Sequence, residues 1–383
     1  MNKHELLIGF DAKRIVCNST GLGSYARTLV NDLICRDDGS MKLRLYAPNE
    51  GREDLRCQIV DSPYLTFVYP KGNKNVLQRD LWRSHGIVKY LKHDGVKIYH
   101  GLSGELPIGL KSAGIKGIVT IHDLIFLRHP EYYNWIDTKI YEWKFKRTCQ
   151  EADRIIAISE CTKHDIMEFG GVNEDKIDLI YQSCSPRFLS KIDEGSMDRV
   201  RFQYNLPKRY ILTVGSIEER KNVLLVVKAL QRLPQDISLV AVGRRTSYTS
   251  KVEQYAKVNG LDSRLRILSG VPNTDLAAIY KMAEVFVYPS RYEGFGIPII
   301  EAIGSGLPVV ACTGSCLEEA GGPDCLYVSP DDVKGMAEAI EKMFEDAPER
   351  CSRIERSKEY IHRFAGLDVA SQVTEIYNQI SQI

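Results

Sequence analysis

Short runs of wholly apolar residues alternate with segments whose apolar positions recur at three- and four-residue steps along almost the whole chain. A run that is apolar at every position reads as a strand buried on both faces, and the helical segments between such runs supply the covering layers. The pattern therefore predicts an α/β protein with parallel sheets. In the first half the predicted strands are Leu6–Phe10, Leu43–Ala47, Leu65–Val68, Ile98–His100, Gly117–Ile121, Arg154–Ile158 and Lys176–Ile180. In the second half they are Tyr210–Val214, Ser238–Val242, Arg264–Leu268, Val285–Tyr288, Pro308–Ala311 and Leu326–Val328. A polar segment broken by Pro186 separates the halves. A chain of 383 residues is also long for one domain. We expect domains at 1–183 and 184–365, with a hinge near 182–188. Near the C-terminus, Val369, Val373, Ile376, Tyr377 and Ile380 mark one face of an amphipathic helix.

Composition narrows the classes. The 51 basic and 50 acidic side chains nearly cancel, so no global field gathers nucleic acid, and no nucleic-acid motif accompanies the local charge. No stretch approaches the roughly 20 apolar residues of a spanning helix. The start Met1-Asn-Lys-His-Glu carries no apolar leader run. The ten cysteines form no CxxC pair and lack metal-site spacing, which suits reduced thiols and a cytoplasmic location. No DxD pattern is present (Asp37-Asp38 and Asp331-Asp332 are adjacent pairs), and neither a metal nor another cofactor is expected.

The richest chemistry lies in Ser290-Arg-Tyr-Glu-Gly-Phe-Gly-Ile-Pro-Ile-Ile-Glu301. Glu293 and Glu301 stand eight residues apart around a Gly-Phe-Gly turn, after a strand and before a short helix with Pro298 in its first turn. The N–H groups and dipole of such a helix end favour an anion. Upstream, Val214-Gly-Ser-Ile-Glu-Glu-Arg-Lys-Asn222 places Arg220 and Lys221 at the start of another helix, where cations oppose the dipole unless an anionic ligand compensates. His122 and Asp123 end a strand, at the edge where open α/β sheets bind ligands. His100, Ser103 and Glu105 follow another strand. Gly21 and Gly23 sit in a G-x-G-x-x-A pattern, but about ten residues separate them from the preceding strand, unlike a nicotinamide-binding turn.

Taken together, these segments resemble glycosyltransferase family 4: the E-x7-E core, the Arg-Lys-Asn stretch, the Thr-x-His-Asp stretch, the His-Gly-Leu-Ser loop and the first glycine loop occur in order. Ser216 departs from a common version of the family pattern, which has Arg directly after the glycine, so one phosphate contact is either missing or supplied otherwise, for instance by Arg244 or Arg245. The resemblance implies a GT-B fold, two facing Rossmann-like domains with the site in the interdomain cleft, and a C-terminal helix within 366–383 that packs back on the first domain. It implies a retaining, metal-independent transfer from a nucleotide-diphosphate sugar to a glycan or lipid-linked acceptor. Mannosyltransferase-like motifs make GDP-mannose the first-choice donor.

On that basis Gly21, Gly23, Arg220 and Lys221 face the donor phosphates. Glu293 and the backbone of Gly294, Phe295 and Gly296 orient the sugar, Glu301 holds the ribose, and Val271 contacts the base. His122 faces the transferred sugar, while His100, Ser103 and Glu105 lie on the acceptor side. From Lys71 to Lys97 seven basic residues meet two acidic ones, and Lys139–Arg147 interleaves four cations with aromatic residues. Such a surface suits peripheral contact with the inner face of a membrane. The competing classes are a GT-B nucleotide-sugar epimerase and a non-catalytic nucleotide-sugar-binding protein.

Overall fold

The computed structural model describes residues 6–36, 39–72, 75–344, 347–364 and 366–381. The Met1–Glu5 start, the Asp37-Asp38 pair, Lys74 of the basic stretch and the last two residues of the C-terminal helical segment lie outside the described residues. The chain divides into two compact units, Met1–Tyr181 with Asp368–Ile383, and Gln182–Leu367.

The first unit is built on seven parallel strands: β1 (Leu6–Asp11), β2 (Met41–Tyr46), β3 (Leu65–Val68), β4 (Ile98–Gly101), β5 (Lys116–Ile121), β6 (Arg154–Ala157) and β7 (Ile177–Leu179). Their order is β3-β2-β1-β4-β5-β6-β7. Two apolar clusters cover the two faces of the sheet, one around Phe10, Leu29 and Leu43 and the other around Tyr99, Leu91 and Phe145. Burial on both faces is why these strands read as continuous apolar runs. Helix α1 (Gly21–Arg36) lies on the first face, and α2 (Trp135–Glu151) contributes Phe145 to the second.

The second unit holds β8 (Arg209–Val214), β9 (Ile237–Val242), β10 (Leu265–Leu268), β11 (Val285–Tyr288), β12 (Val309–Cys312) and β13 (Leu326–Val328), all parallel, in the order β10-β9-β8-β11-β12-β13. Every residue of β9 and β11 is buried. Helices α3 (Val223–Ala229), α4 (Asn273–Met282) and α5 (Ile297–Gly304) follow β8, β10 and β11. In each sheet the strand order reverses once, between β1 and β4 and between β8 and β11. Open α/β sheets bind ligands beyond the carboxyl ends of the strands at such a reversal.

The chain ends in α6 (Val369–Ser381), which belongs to the first unit. Its Ala370, Val373, Ile376, Tyr377 and Ile380 join the cluster containing Phe10, and it packs against α1. All thirteen predicted strands are present within one or two residues of their expected ends. No described helix is long and apolar enough to cross a membrane.

Candidate active site

Two loops leave the second sheet at its point of reversal. The loop after β8 runs Gly215–Asn222, and the loop after β11 runs Pro289–Gly296. A backbone hydrogen bond from Arg291 N to Arg220 O, 2.9 Å, joins them. Arg220 Nη1 also donates to the Tyr292 carbonyl at 2.6 Å. Glu219–Lys221 form a single 3₁₀ turn, and Asn222 takes a left-handed conformation (φ 54°) before α3 begins. The two cations therefore stand in the turn ahead of the helix. Asn222 is buried and donates from its side chain to Pro330 O at 2.8 Å, which fixes that corner.

The turn aims Arg220 and Lys221 at the second loop. Lys221 Nζ lies 2.5 Å from Glu293 Oε1 and donates to the Tyr288 hydroxyl at 2.9 Å. Arg220 approaches the same carboxylate at 3.1 Å and pairs with Glu218 at 2.9 Å. The Ser290 hydroxyl donates to Glu293 as well. Burial pushes the Glu293 carboxyl up, but Lys221 and Arg220 outweigh it and hold the group at about 2. Glu293 is thus an ionised, acceptor-only group across the physiological range.

Glu301 has the opposite environment. It sits on the fifth residue of α5, and burial raises it to about 7, while its carboxylate accepts a hydrogen bond from the Tyr280 hydroxyl at 3.0 Å. Tyr280 is held by Phe188 and Phe286, with ring centroids 5.3 and 5.4 Å away. Gly296 caps α5 with φ 157°, and a Cβ there would lie 2.8 Å from Ala320 Cβ, so the turn requires glycine. Gly294 is buried. The Phe295 side chain is buried against Phe364, 5.4 Å between centroids, which leaves only its backbone to face a ligand. Val271 is half-buried in the loop after β10. Arg245 is paired with Glu253 at 2.5 Å, and Arg244 is exposed.

In the first unit the structure separates residues that the sequence grouped together. His122 Nε2 donates to Leu102 O at 2.9 Å, and its ring meets Tyr25 edge-on at 4.8 Å. Burial lowers it to about 4, so the imidazole is neutral near pH 7. His100 is a correction. It is 0% exposed, with Nδ1 bonded to the Tyr377 hydroxyl at 2.7 Å and Nε2 to Thr120 at 2.9 Å, so it cannot reach an acceptor. Burial lowers it to about 3. Ser103 is half-buried on the loop after β4. Glu105 joins an ion-pair chain: Arg83 bonds Glu105 at 2.5 Å and buried Asp11 at 2.7 Å, and Lys144 approaches Glu105 at 3.4 Å.

Gly21 and Gly23 also depart from expectation. They form the first turn of α1 instead of a free loop. The Gly23 N–H donates to the Asn18 side chain at 3.3 Å, and a Cβ on Gly23 would lie 1.9 Å from Asn18 O. Its glycine is required by close packing, and its N–H is occupied. Gly21 faces open space.

The model titled "Glycosyltransferase Family 4" matches residues 12–185, and that titled "Glycosyl transferases group 1" matches 196–360. The chain belongs to glycosyltransferase family 4. Among curated relatives of this family 4 chain, an O-antigen chain mannosyltransferase B from Escherichia coli is 30% identical over 254 residues, 65% of each chain. The chain spans less than two thirds of the length of the first curated relatives it matches, and as little as 31% of two of them. Among solved structures, sucrose-phosphate synthase from Thermosynechococcus elongatus superposes with a TM-score of 0.79 at 20% identity, covering 98% of this chain and 99% of that one. Anabaena HepE in complex with UDP and glucose gives 0.76 at 16% identity, covering 98% and 100%. The family 4 fold is thus the GT-B type that the resemblance implied.

Three polar residues of the site were not visible as such in the sequence: Tyr288, Ser290 and Tyr280. Tyr288 offers one usable signal, its place as the last residue of an apolar strand at the ligand-binding edge.

Proposed function

We propose that the chain is a retaining, metal-independent glycosyltransferase that moves a hexose from a nucleoside-diphosphate sugar to a glycan or lipid-linked acceptor. The observation that carries this reading is the Lys221–Arg220–Glu293 cluster at the β8/β11 reversal, beside the start of α5. A mannosyltransferase among the curated relatives supports mannose, with GDP-mannose as the first-choice donor. A UDP and glucose complex among the structural neighbours supports a nucleotide-sugar donor.

In this reading the bond between the sugar C1 and the diphosphate oxygen breaks, and that oxygen takes the electron pair. Lys221, Arg220 and the N–H groups of the α5 start stabilise the developing charge, the largest single term in such a step. The acceptor oxygen bonds C1 from the same face, and its proton passes to the leaving phosphate oxygen. Glu293, kept ionised, accepts hydrogen bonds from sugar hydroxyls, and Glu301 accepts them from the ribose. Neutral His122 contributes a hydrogen bond near the transferred sugar and no charge.

The test combines thermal shifts with GDP-, UDP-, dTDP- and ADP-sugars and release of nucleoside diphosphate with acceptor. A matching donor raises the melting temperature by mass action. Lys221→Ala is expected to lower turnover by about 10²–10³-fold, and turnover is expected to survive EDTA. Full turnover by Lys221→Ala, or strict dependence on Mg²⁺, contradicts the mechanism. Epimerisation of the donor without acceptor would replace transfer with the epimerase reading.

A further inference from the structure

A series of side-chain contacts in the first unit starts at the C-terminal helix and ends at His122. The Tyr377 hydroxyl of α6 bonds His100 Nδ1 at 2.7 Å, and His100 Nε2 bonds the Thr120 hydroxyl at 2.9 Å. Thr120 Oγ1 in turn lies 3.3 Å from the hydroxyl of Tyr25 on α1. The Tyr25 ring then meets the His122 imidazole, 4.8 Å between centroids and 83° between planes. Tyr377, His100 and Thr120 are fully buried, while Tyr25 and His122 are half-buried. Filling space does not call for these hydroxyls, since phenylalanine at 25 and valine at 120 have nearly the same shapes. In a buried setting each hydroxyl needs its partner, so the links hold one another in place.

One hydrogen bond does not orient a ring. The Leu102 carbonyl accepts from His122 Nε2 at 2.9 Å, which fixes that atom and the tautomer but lets the imidazole turn about the N–H···O line. The main chain of His122 is held separately, by the Thr162 hydroxyl at 3.3 Å. The edge-on Tyr25 ring adds a restraint on the imidazole plane. Tyr25 is itself tied at both ends. Its hydroxyl is bonded to Thr120, two residues before His122, and its backbone follows Gly23, which packs on Asn18 too closely for any other residue. Burial pushes the Tyr25 phenol up to about 12, so near pH 7 it stays neutral and can both donate and accept.

We propose that Tyr25 is a positioning residue for the transfer reaction: its ring sets the plane of the His122 imidazole, and Thr120, His100 and Tyr377 anchor its hydroxyl. Its effect on transfer rests on the reading that His122 faces the transferred sugar. Its effect on the imidazole does not.

The experiment follows the eight histidines of the full chain by NMR of labelled imidazoles between pH 5 and 8, together with nucleoside diphosphate release in the presence of acceptor. The groups that bear on His122 are Arg14 in the helical turn after β1, His100 on β4 and Tyr25 on α1, while neighbouring Asp123 accepts from the Ile125 N–H at 3.3 Å. Burial holds His122 at about 4, so the parent protein is expected to show no titration of this ring above pH 5. Tyr25→Ala admits water and lifts that penalty on the charged form, so its His122 is expected to titrate inside the range, toward the ordinary 6.5. Tyr25→Phe keeps the ring and is expected to restore the silent signal, and it carries the turnover comparison if Tyr25→Ala is less stable. In Tyr25→Ala kcat is expected to fall about tenfold or more with donor KM within about twofold, because a misplacement of one ångström costs up to about 10²-fold. Tyr25→Phe, with its ring untied, is expected to lose a smaller factor. A silent His122 in Tyr25→Ala, or parental kcat in both variants while His122→Ala is impaired, overturns the proposal. A raised donor KM at unchanged kcat assigns Tyr25 to binding and also overturns it. Full turnover by His122→Ala instead overturns the reading of His122 at the sugar, and with it any role of Tyr25 in transfer.

Discussion

Glu293 and Glu301 are the same residue type eight positions apart, yet one is held at about 2 and the other at about 7. The difference comes from partners. Lys221 and Arg220 lie within 3.1 Å of Glu293, whereas at Glu301 burial outweighs the hydrogen bond from the Tyr280 hydroxyl. The two therefore affect stability with opposite sign. Glu293 is depressed below its ordinary 4.5, so its contribution is complete above that value and is lost as pH falls through about 2. Glu293→Gln leaves two cations without their shared carboxylate and is expected to cost on the order of 3 kcal/mol in denaturant unfolding. Glu301 is raised, so the fold favours its protonated form. That stability is complete below 4.5 and fades as pH rises through about 7. Wild-type stability is expected to fall by on the order of 3 kcal/mol from this residue between about pH 4 and pH 8. Glu301→Gln, neutral at every pH, should flatten that slope; urea midpoints at the two pH values measure it. An unchanged slope in the variant would show that Glu301 is ionised in the fold.

The elements show which features a sequence exposes. Strands such as β9 and β11 were legible because both their faces are buried, so every position is apolar. The start of α1 was not. Gly21 and Gly23 read as a phosphate-facing loop, but Asn18, upstream of the glycines, accepts hydrogen bonds from Thr20 and Gly23 and draws them into the first helical turn. The cluster around Glu293 was legible as a set of chemical types and illegible as a contact, since Lys221 lies 72 residues from it along the chain. Nothing in local spacing reports that distance. The two glycines give an internal control. Gly23→Ala forces a Cβ to 1.9 Å from a backbone oxygen and is expected to destabilise the first unit by roughly 2 kcal/mol or more. Gly21→Ala meets open space and should change stability by less than about 0.5 kcal/mol. Thermal unfolding of both variants tests the pair, and equal losses would contradict the packing role of Gly23. Lost donor turnover in a stable Gly21→Ala would mark Gly21 as the glycine that faces a ligand.

At the scale of the whole molecule, the last helix makes the first unit depend on the end of the chain. Tyr377 reaches back across 277 positions to hydrogen-bond His100, and Val373, Ile376 and Ile380 fill the same cluster as Phe10. This contact explains why His100 misled a reading based on motifs: its loop carries ligand-like residues, but its ring is a buried joint between β4 and α6. Removal of residues 368–383 strips several large buried side chains from the first unit, each worth about 1.5–3 kcal/mol, against a total stability of only about 5–15 kcal/mol. The truncated chain is therefore expected to lose the folded first unit while Gln182–Leu367 keeps its own core. Limited proteolysis should then digest the N-terminal half and spare the C-terminal half. Tyr377→Phe separates packing from polarity. It keeps the ring and removes the hydroxyl, leaving the His100 Nδ1 without that partner at a cost of about 1–3 kcal/mol. If the truncated chain resists protease in both halves, α6 is an ornament on the first unit. If it fails as expected while Tyr377→Phe loses only its smaller share, apolar packing by α6 is what completes the first core.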